Sequence, residues 1–198
     1  SLRYGTIKPE ELLEIAKNKG LKTFALTDIN STTACIDFVR LSAKYAISPV
    51  LGVDFRNGVQ QEFILLARNN QGFQYINEYL STLLLQKKFY VTTEPPVIPE
   101  VFVIYPFSKE LKRPLKENEF LGINPKDLPK LKFSKTKLPI EKLVILQTVS
   151  FQNKKGFNTH RLLRAIANNT LLSKLPLSEQ GHEKDIMFST EELHELYK

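Results

Sequence analysis

The sequence predicts an α/β fold in which buried parallel strands are joined by amphipathic helices. The clearest evidence is the stretch 23–58, where two short apolar runs, at 23–27 and 50–55, have the composition of strands buried on both faces. Between them, residues 35–46 place apolar side chains near helical spacing. Two strands joined by a helix form parallel neighbours with a right-handed crossover, so this stretch is predicted to be a β-α-β unit.

Two carboxylates lie at the ends of these predicted strands. Asp28 follows the first apolar run directly, and Asp54 lies near the end of the second. Folds of the α/β type build their sites at the carboxyl ends of strands, which share one edge of the sheet. Asp28 and Asp54 are therefore predicted to lie on one rim of the fold.

The other elements extend this pattern in both directions. A first helix is predicted from an N-cap at Thr6 to Gly20. Further strands are predicted at 63–67, 101–105, 119–123 and 143–146, and further helices at 73–85, at 158–169 and from Ser189 onward. Residues 86–142 are rich in proline and lysine, so this region is predicted to be irregular.

Composition bounds the class of protein. The chain has 198 residues, and 42% hydrophobic with 25% charged residues is ordinary for a globular protein. No apolar run approaches the roughly 20 residues of a membrane span, so no membrane partner is expected. The single cysteine, Cys35, excludes an intramolecular disulfide and a cysteine-based metal site, and favours a reducing, cytoplasmic setting. The first residue is not Met, and we therefore expect a fragment of a longer protein.

The net charge of +7 suits a partner that carries phosphates. Much of the excess lies between Lys109 and Lys142, which favours two interpretations. One is a solvated, lysine-rich surface insertion, the commoner use of such regions. The other is contact with the DNA backbone, and its candidate residues are Lys130, Lys132, Lys135 and Lys137.

Several motifs, in order and spacing, resemble a known family. They read ALTDIN, SPVLGVDF and FILLARNNQGFQYINEYLS, with SLRYGTIKPEELLEIAKNKGLK before them and FNTHRLLRAIANNTLLS near the end. Together they resemble the PHP (polymerase and histidinol phosphatase) domain at the N-terminus of bacterial DNA polymerase III alpha subunits. The resemblance implies a distorted seven-stranded (β/α) barrel, similar to a TIM barrel. It would occupy residues 1–157, with 86–142 as its irregular part, and 158–198 would be a helical segment leading toward absent polymerase domains.

The resemblance also implies where metal ligands would lie. Active members hold a cluster of zinc or manganese ions with histidines and acidic residues, and hydrolyse phosphoesters with it. The histidine of the first of these motifs is Ile29 here, the glutamate after the next strand is Asp54, and the histidine before the third strand is Glu62. A late Asp-x-His pair is replaced by Thr148 and Ser150. The family's first His-x-His is not in this chain.

These replacements predict a degenerate metal site with no catalytic residue. Isoleucine donates nothing to a metal, and neutral hydroxyls are poor substitutes for carboxylate and imidazole. Asp28, Asp54 and Glu62 remain weak candidates for one divalent ion such as Mg²⁺ or Ca²⁺, since hard cations accept oxygen ligands alone. Their commoner role is solvation and capping at strand ends, and no cofactor is expected in this chain. The three histidines are predicted to be surface or helix-face residues and not ligands: His160, His182 and His194.

By resemblance, the parent protein would be a DNA-directed DNA polymerase (a nucleotidyltransferase) that binds DNA and uses Mg²⁺. This part would be inactive alone and would serve as a structural and subunit-interaction module. Its implied partners are the polymerase body of the same chain, the proofreading exonuclease subunit and the rest of the replisome. Two alternatives stay open. One is a metal-dependent phosphoesterase, 3′–5′ exonuclease or pyrophosphatase completed by the missing His-x-His, and the other is a DNA contact through 109–142.

Overall fold

The computed structural model describes residues 1, 4–109, 111, 113–132 and 139–198, the last residue of the 113–132 range by its backbone only. Six strands form one sheet: β1 (Thr23–Ile29), β2 (Ser48–Asn57), β3 (Gln60–Ala67), β4 (Val101–Pro106), β5 (Glu119–Ile123) and β6 (Leu143–Ile145). The helices in the described ranges are α1 (Pro9–Asn18), α2 (Cys35–Ser42), α3 (Asn70–Leu84), α4 (Leu128–Lys132), α5 (Lys154–Ala167) and α6 (Thr190–Leu196).

The strands are hydrogen-bonded in sequence order, from β1 at one edge to β6 at the other. The pairs β1–β2, β4–β5 and β5–β6 are parallel, which confirms the predicted β-α-β unit. Strand β3 is antiparallel to both of its neighbours. Only Gly58 and Val59 separate β2 from β3, too few residues for a crossover, so the chain makes a hairpin there. The fold is a mixed α/β fold.

The sheet curls into a half-barrel. Residues 146–150, which follow β6, lie opposite β1. The two segments line the same cavity, of about 130 Å³. Val149 also packs on the apolar cluster formed by α1, α2 and β1. In the described ranges the sheet has six strands, and the seventh strand implied by the resemblance is not seen there.

Two apolar clusters hold the sheet against its helices. The larger one joins β2 to β5 with α3, through fully buried side chains such as Phe55, Phe63 and Tyr105. The smaller one packs α1 and α2 on β1, and its central side chains are Leu13 and Phe38. The polar residues described below lie at the carboxyl ends of β1 and β2.

Region 86–142 is held to the sheet by polar contacts. The segment before β4 is joined to β2 by Asn57, whose side chain accepts from the backbone N–H of Val91 at 2.9 Å and donates to its carbonyl at 2.8 Å. Arg113 then donates to Glu119 of β5 at 2.6 Å and to Glu94 at 2.7 Å. The predicted division of the chain at 157/158 stays a prediction, and α5 extends across it.

None of the helices within the described residues is both long and apolar enough to cross a membrane.

Candidate functional site

The strand pairing brings the three predicted carboxylates to one edge of the sheet. In the parallel pair β1–β2, Asp28 lies opposite Val53, and Ile29 lies opposite Asp54. Because β3 runs antiparallel to β2, the start of β3 lies beside the end of β2. Glu62 therefore lies at the same edge as the two aspartates.

Two adjoining cavities open at this edge. The smaller, of about 130 Å³, is lined by five of the six positions that the sequence singled out for a metal site, namely Asp28, Ile29, Asp54, Thr148 and Ser150. Glu62 lines the larger one, of about 900 Å³, together with Lys109, Lys126, Asp127, His182 and Asp185. Five residues line both cavities, namely Tyr4, Arg56, Gln61, Leu146 and Thr148.

Asp54 is bound to a cation of its own chain. Its Oδ2 accepts from Arg56 Nη2 at 2.6 Å and from Nε at 2.9 Å, and its Oδ1 accepts from Gln61 Nε2 at 2.9 Å. Only 4% of Asp54 and 6% of Arg56 are exposed to solvent. Burial alone would lower the pKa of Arg56, but the charge and hydrogen bonds of Asp54 raise that pKa above its ordinary value. Both carboxylate oxygens of Asp54 are engaged in these hydrogen bonds.

The Arg56 backbone is fixed as well. Asn30, the last residue of the ALTDIN motif, accepts from the Arg56 N–H at 2.9 Å and donates to its carbonyl at 2.9 Å. Its own N–H donates to the carbonyl of Asp54 at 3.0 Å. Asn30 has a φ of 48°, in the left-handed region that asparagine tolerates better than most residues. The motif asparagine thus ties the end of β1 to the strand that carries the ion pair.

Glu62 holds a second internal cation. Lys109 Nζ lies 2.6 Å from Glu62 Oε2, and it also donates to the Glu62 carbonyl at 3.2 Å. The other carboxylate oxygen, Oε1, accepts from Asn57 Nδ2 at 3.1 Å. Asp28 differs from these two, because its Oδ1 accepts from the uncharged Ser1 hydroxyl at 2.9 Å. Asp54 and Glu62 are therefore each paired with a separate cation.

The donor set does not fit the metal cluster that the resemblance implies. Among the described residues, no group of three or more His, Cys, Asp or Glu side chains could hold a metal ion. Of the three nearly buried carboxylates of the rim, Asp54 and Glu62 are already paired with Arg56 and Lys109. The other former ligand positions also lack suitable donors, because Ile29 has no donor atom and Thr148 and Ser150 offer only hydroxyls.

His160 is the residue whose role sequence reasoning missed. It lies on the inner face of α5 and is fully buried, whereas His182 and His194 are exposed as predicted. Its Nε2 accepts from the N–H of Gly181 at 2.7 Å, so the hydrogen is on Nδ1, which donates to the Tyr4 carbonyl at 2.7 Å. Burial lowers the pKa of His160, and the neutral ring joins three distant segments. Phe151 and Phe157, which pack on the ring, are the sequence signal for this burial.

The predicted DNA contacts lie mainly outside what the structure describes. Lys130 is exposed on α4, while the side chain of Lys132 and all of Lys135 and Lys137 fall outside the described residues. Other basic residues of the region have structural roles. Lys109 pairs with Glu62, and Lys142 donates to the carbonyls of Lys116 at 2.7 Å and Glu117 at 2.8 Å, beside the parallel strands β5 and β6.

Comparison with known proteins gives the family. The sequence profile of the PHP domain matches residues 1–110. A DNA polymerase III subunit alpha from Buchnera aphidicola subsp. Schizaphis graminum is 28% identical over 106 residues, covering 49% of this chain and 9% of that protein. The chain thus matches less than a tenth of the length of that relative.

A solved structure has a weaker similarity. It is that of a Bifidobacterium adolescentis protein assigned as a metal-dependent phosphoesterase, with 11% identity and a TM-score of 0.37, covering 97% of this chain and 91% of that one. At this level of similarity, neither the fold nor the activity of that protein can be assigned to this chain. The profile match covers more than half of the chain, includes the ALTDIN and SPVLGVDF motifs, and ends beyond Lys109. The chain belongs to the PHP domain family.

Proposed function

We propose that this PHP domain is a structural and subunit-interaction module with a degenerate metal site, and that it forms the N-terminal part of a DNA polymerase III alpha subunit. One observation carries the proposal: the carboxylates at two former ligand positions, Asp54 and Glu62, each hold a cation supplied by the chain itself. The positive charge that a metal would supply at this rim is already present in Arg56 and Lys109.

Replacing these side-chain cations by a metal is energetically unfavourable. Binding a metal at Asp54 would leave the nearly buried guanidinium of Arg56 without its partner, and removing one partner of a buried pair costs about 3–5 kcal/mol. A metal at Glu62 would likewise displace Lys109, whose side chain is only 12% exposed. With one or two carboxylates per ion and no imidazole, metal coordination would not offset those losses.

The similarity to the Buchnera polymerase subunit supports the choice of parent protein. On this proposal, polymerase activity, its Mg²⁺ and its DNA belong to parts of the parent beyond this domain. The domain would pack against the polymerase body, offer a surface to the proofreading exonuclease subunit within the replisome, and work in the cytoplasm.

The test is the metal content and hydrolytic activity of the purified protein. After expression in medium supplemented with zinc, manganese and iron, mass spectrometry should find less than about a tenth of an equivalent of any of them. Neither p-nitrophenyl phosphate nor a 3′-labelled oligonucleotide should be hydrolysed with added Mn²⁺. Near-stoichiometric metal that is lost in Asp54→Asn, together with hydrolysis, would instead establish the phosphoesterase or exonuclease alternative.

A second candidate function is contact with the DNA backbone. Two exposed lysines favour it, Lys130 on α4 and Lys126 just before α4, at the mouth of the larger cavity. Neutralising Lys130, Lys132, Lys135 and Lys137 together should then weaken binding of a DNA duplex and reduce its dependence on salt concentration. Equal binding by that variant and by the unchanged protein would exclude this function for the region.

A further inference from the structure

The outer face of α5 is an apolar surface. Leu162 and Ile166, one helical turn apart, are 50% and 64% exposed, while His160 and Ala165 on the inner face are buried. The helix ends at Ala167, and Asn169, two residues later, has a φ of 48°. The chain then turns back, and a short helical turn at 172–174 packs on α5 with two more exposed leucines at its start. The α5 surface consists of these four side chains, Leu162, Ile166, Leu171 and Leu172.

Apart from Glu179, which is paired with Arg164, the charged residues along this surface are basic. Between Glu141 and Glu179 the sequence has no aspartate or glutamate, whereas it has several basic residues, namely Lys142, Lys154, Lys155, Arg161, Arg164 and Lys174. The two arginines are engaged within the fold, Arg161 with Gln180 and Arg164 with Glu179. Three lysines near the two ends of the surface, Lys154, Lys155 and Lys174, are exposed, and no carboxylate of the described residues lies within ion-pair distance of them.

We propose that the α5 surface binds an acidic, amphipathic segment of a partner polypeptide. Apolar side chains of that segment would cover Leu162, Ile166 and the two leucines, and its carboxylates would face the lysines at either end. Apolar contacts would supply most of the affinity, and the complementary charges would set orientation and speed of association. This inference deepens the proposed function, on which it rests, by naming the surface and the chemistry of the partner.

Two other kinds of ligand that bind basic surfaces, nucleic acids and membranes, fit the α5 surface less well. Single-stranded nucleic acid is bound by exposed aromatic rings beside a groove of free cations. Here Phe151 is buried and Phe157 half-buried, and both arginines are engaged inside the fold. A membrane-surface helix carries a longer apolar face with aromatic anchors, and the exposed apolar face of the 14-residue α5 consists of two aliphatic residues, Leu162 and Ile166.

The test is a peptide selection followed by affinity measurements. A phage library of random peptides, about four helical turns long, is selected against the immobilised protein. Enriched sequences should carry net negative charge, with Leu, Ile or Phe three and four positions apart. Binding of the best peptide is then measured by fluorescence anisotropy.

Matched variants locate the binding site. Ile166→Glu should weaken peptide binding at least about tenfold, since it places a charge in the centre of the apolar surface. Ile36→Glu is its control, because Ile36 is also a helical isoleucine and is 73% exposed on α2; it should change binding by less than about twofold. Lys154→Glu/Lys155→Glu should slow association and weaken binding about threefold or more. Lys87→Glu/Lys88→Glu, an exposed lysine pair elsewhere, should do neither.

Folding and competing ligands complete the experiment. All variants alter exposed side chains, so each should keep the circular dichroism spectrum and melting temperature of the unchanged protein. The inference is overturned if no peptide is enriched, if enriched peptides are not acidic, or if Ile166→Glu and Ile36→Glu bind them equally. Binding of phosphatidylserine vesicles or duplex DNA that depends on Ile166, without any acidic peptide, also overturns it. Failure of the proposed function appears separately, as bound metal and hydrolysis.

Discussion

At the scale of single residues, Arg56 decides whether the rim is a metal site or part of the structure. Its guanidinium donates two hydrogen bonds to Asp54 and lies 5.2 Å from the centre of the Tyr4 ring. Arginine holds its charge at any pH the protein meets and matches a carboxylate geometrically. Only 6% of Arg56 is exposed, and a positive charge buried beside Asp54 opposes the binding of a second cation there.

Removing the Arg56 charge should destabilise the protein strongly. We expect Arg56→Met to lower the free energy of unfolding by about 3–5 kcal/mol, because it leaves the carboxylate of Asp54 buried without a counter-charge. The double variant Asp54→Asn/Arg56→Met should recover much of that loss. Urea denaturation monitored by circular dichroism measures both values.

Arg40→Met is the matched control for this prediction. Arg40 also pairs with an aspartate, Asp37 at 2.9 Å, but both side chains are more than half exposed. Its loss should cost less than about 1 kcal/mol. Equal costs for Arg40→Met and Arg56→Met would show that burial of the Asp54 pair contributes nothing to stability.

His160 should make stability depend on pH. Burial first, and then the nearby Arg164 and Arg56, lower its pKa from 6.5, against an opposing hydrogen bond to Tyr4. Below pH 6.5 the unfolded chain therefore binds more protons at this residue than the folded protein does, so this contribution to stability falls as the pH falls. Above pH 6.5 the contribution of neutral His160 to stability is fully present.

The measurement is the midpoint of urea unfolding between pH 7.5 and 5.5. The midpoint of the unchanged protein should fall across this range, and His160→Gln should be less stable at pH 7.5 but depend less on pH. His194→Gln, which changes an exposed histidine, should keep the slope of the unchanged protein. The same slope in His160→Gln would rule out this residue as the origin.

At the scale of elements, two helices begin with the same local motif. Asn69 and Asn153 have φ near −159°, and each side chain accepts from the N–H of a glycine three residues later, at 2.9 and 3.1 Å. The predicted starts of α3 and α5 were three and four residues late, because the first turn of each helix is polar and lacks the apolar spacing. The predicted start of α6 at Ser189 is confirmed, and Ser189 and Glu192 form a capping box there.

The glycine at the start of α3 permits close packing. A Cβ at Gly72 would lie 2.0 Å from the backbone carbonyl oxygen of Glu100, which cannot move independently of the strand that follows. We expect Gly72→Ala to cost about 2 kcal/mol or more of unfolding free energy, by overpacking. Gly58→Ala, where φ is 61° but nothing lies within 4 Å, should cost only about 1 kcal/mol. Urea unfolding of both variants compares them, and an equal or larger cost at Gly58 would contradict the packing argument.

The hairpin between β2 and β3 shows what the sequence could have predicted. The third strand was predicted at 63–67, inside the observed Gln60–Ala67, but the predicted parallel pattern is wrong for it, because it is antiparallel to both neighbours. The signal for an antiparallel strand was the glycine between two apolar runs, since Gly58 is the first residue of the two-residue loop and has positive φ. In contrast, the N-cap of α1 is Lys8 and not the predicted Thr6. Pro9 is the first helical residue, and the side chain of Glu11 accepts from the backbone N–H of Lys8.

At the scale of the whole molecule, the sequence predicted the family and the location of the candidate site. It predicted less well which side chains pair with the carboxylates there. The former ligand positions were predicted to share a rim, and four of them, with the candidate ligand Asp28, line one cavity. Their cationic partners could not be predicted in the same way. Lys109 is 47 residues from Glu62 in a proline-rich region without clear periodicity, so only the folded chain shows that the two meet.

Divalent metals should leave the melting temperature unchanged. A site filled at about one hundred times its dissociation constant would add about 2.7 kcal/mol and raise the melting temperature by several degrees. With Asp54 and Glu62 paired internally, we expect the same melting temperature in EDTA, in millimolar Mg²⁺ and in millimolar Mn²⁺. Differential scanning calorimetry measures this, and a rise with Mn²⁺ that Glu62→Gln abolishes would reveal a site at this rim.

The two ion pairs have a consequence for how this domain is made. A cation carried by Arg56 or Lys109 is present from the moment the chain is translated, and it cannot dissociate, exchange or be taken by a chelator. The domain would therefore reach its final form without a loading step, and cells starved of zinc or manganese would assemble it as readily as well-supplied ones.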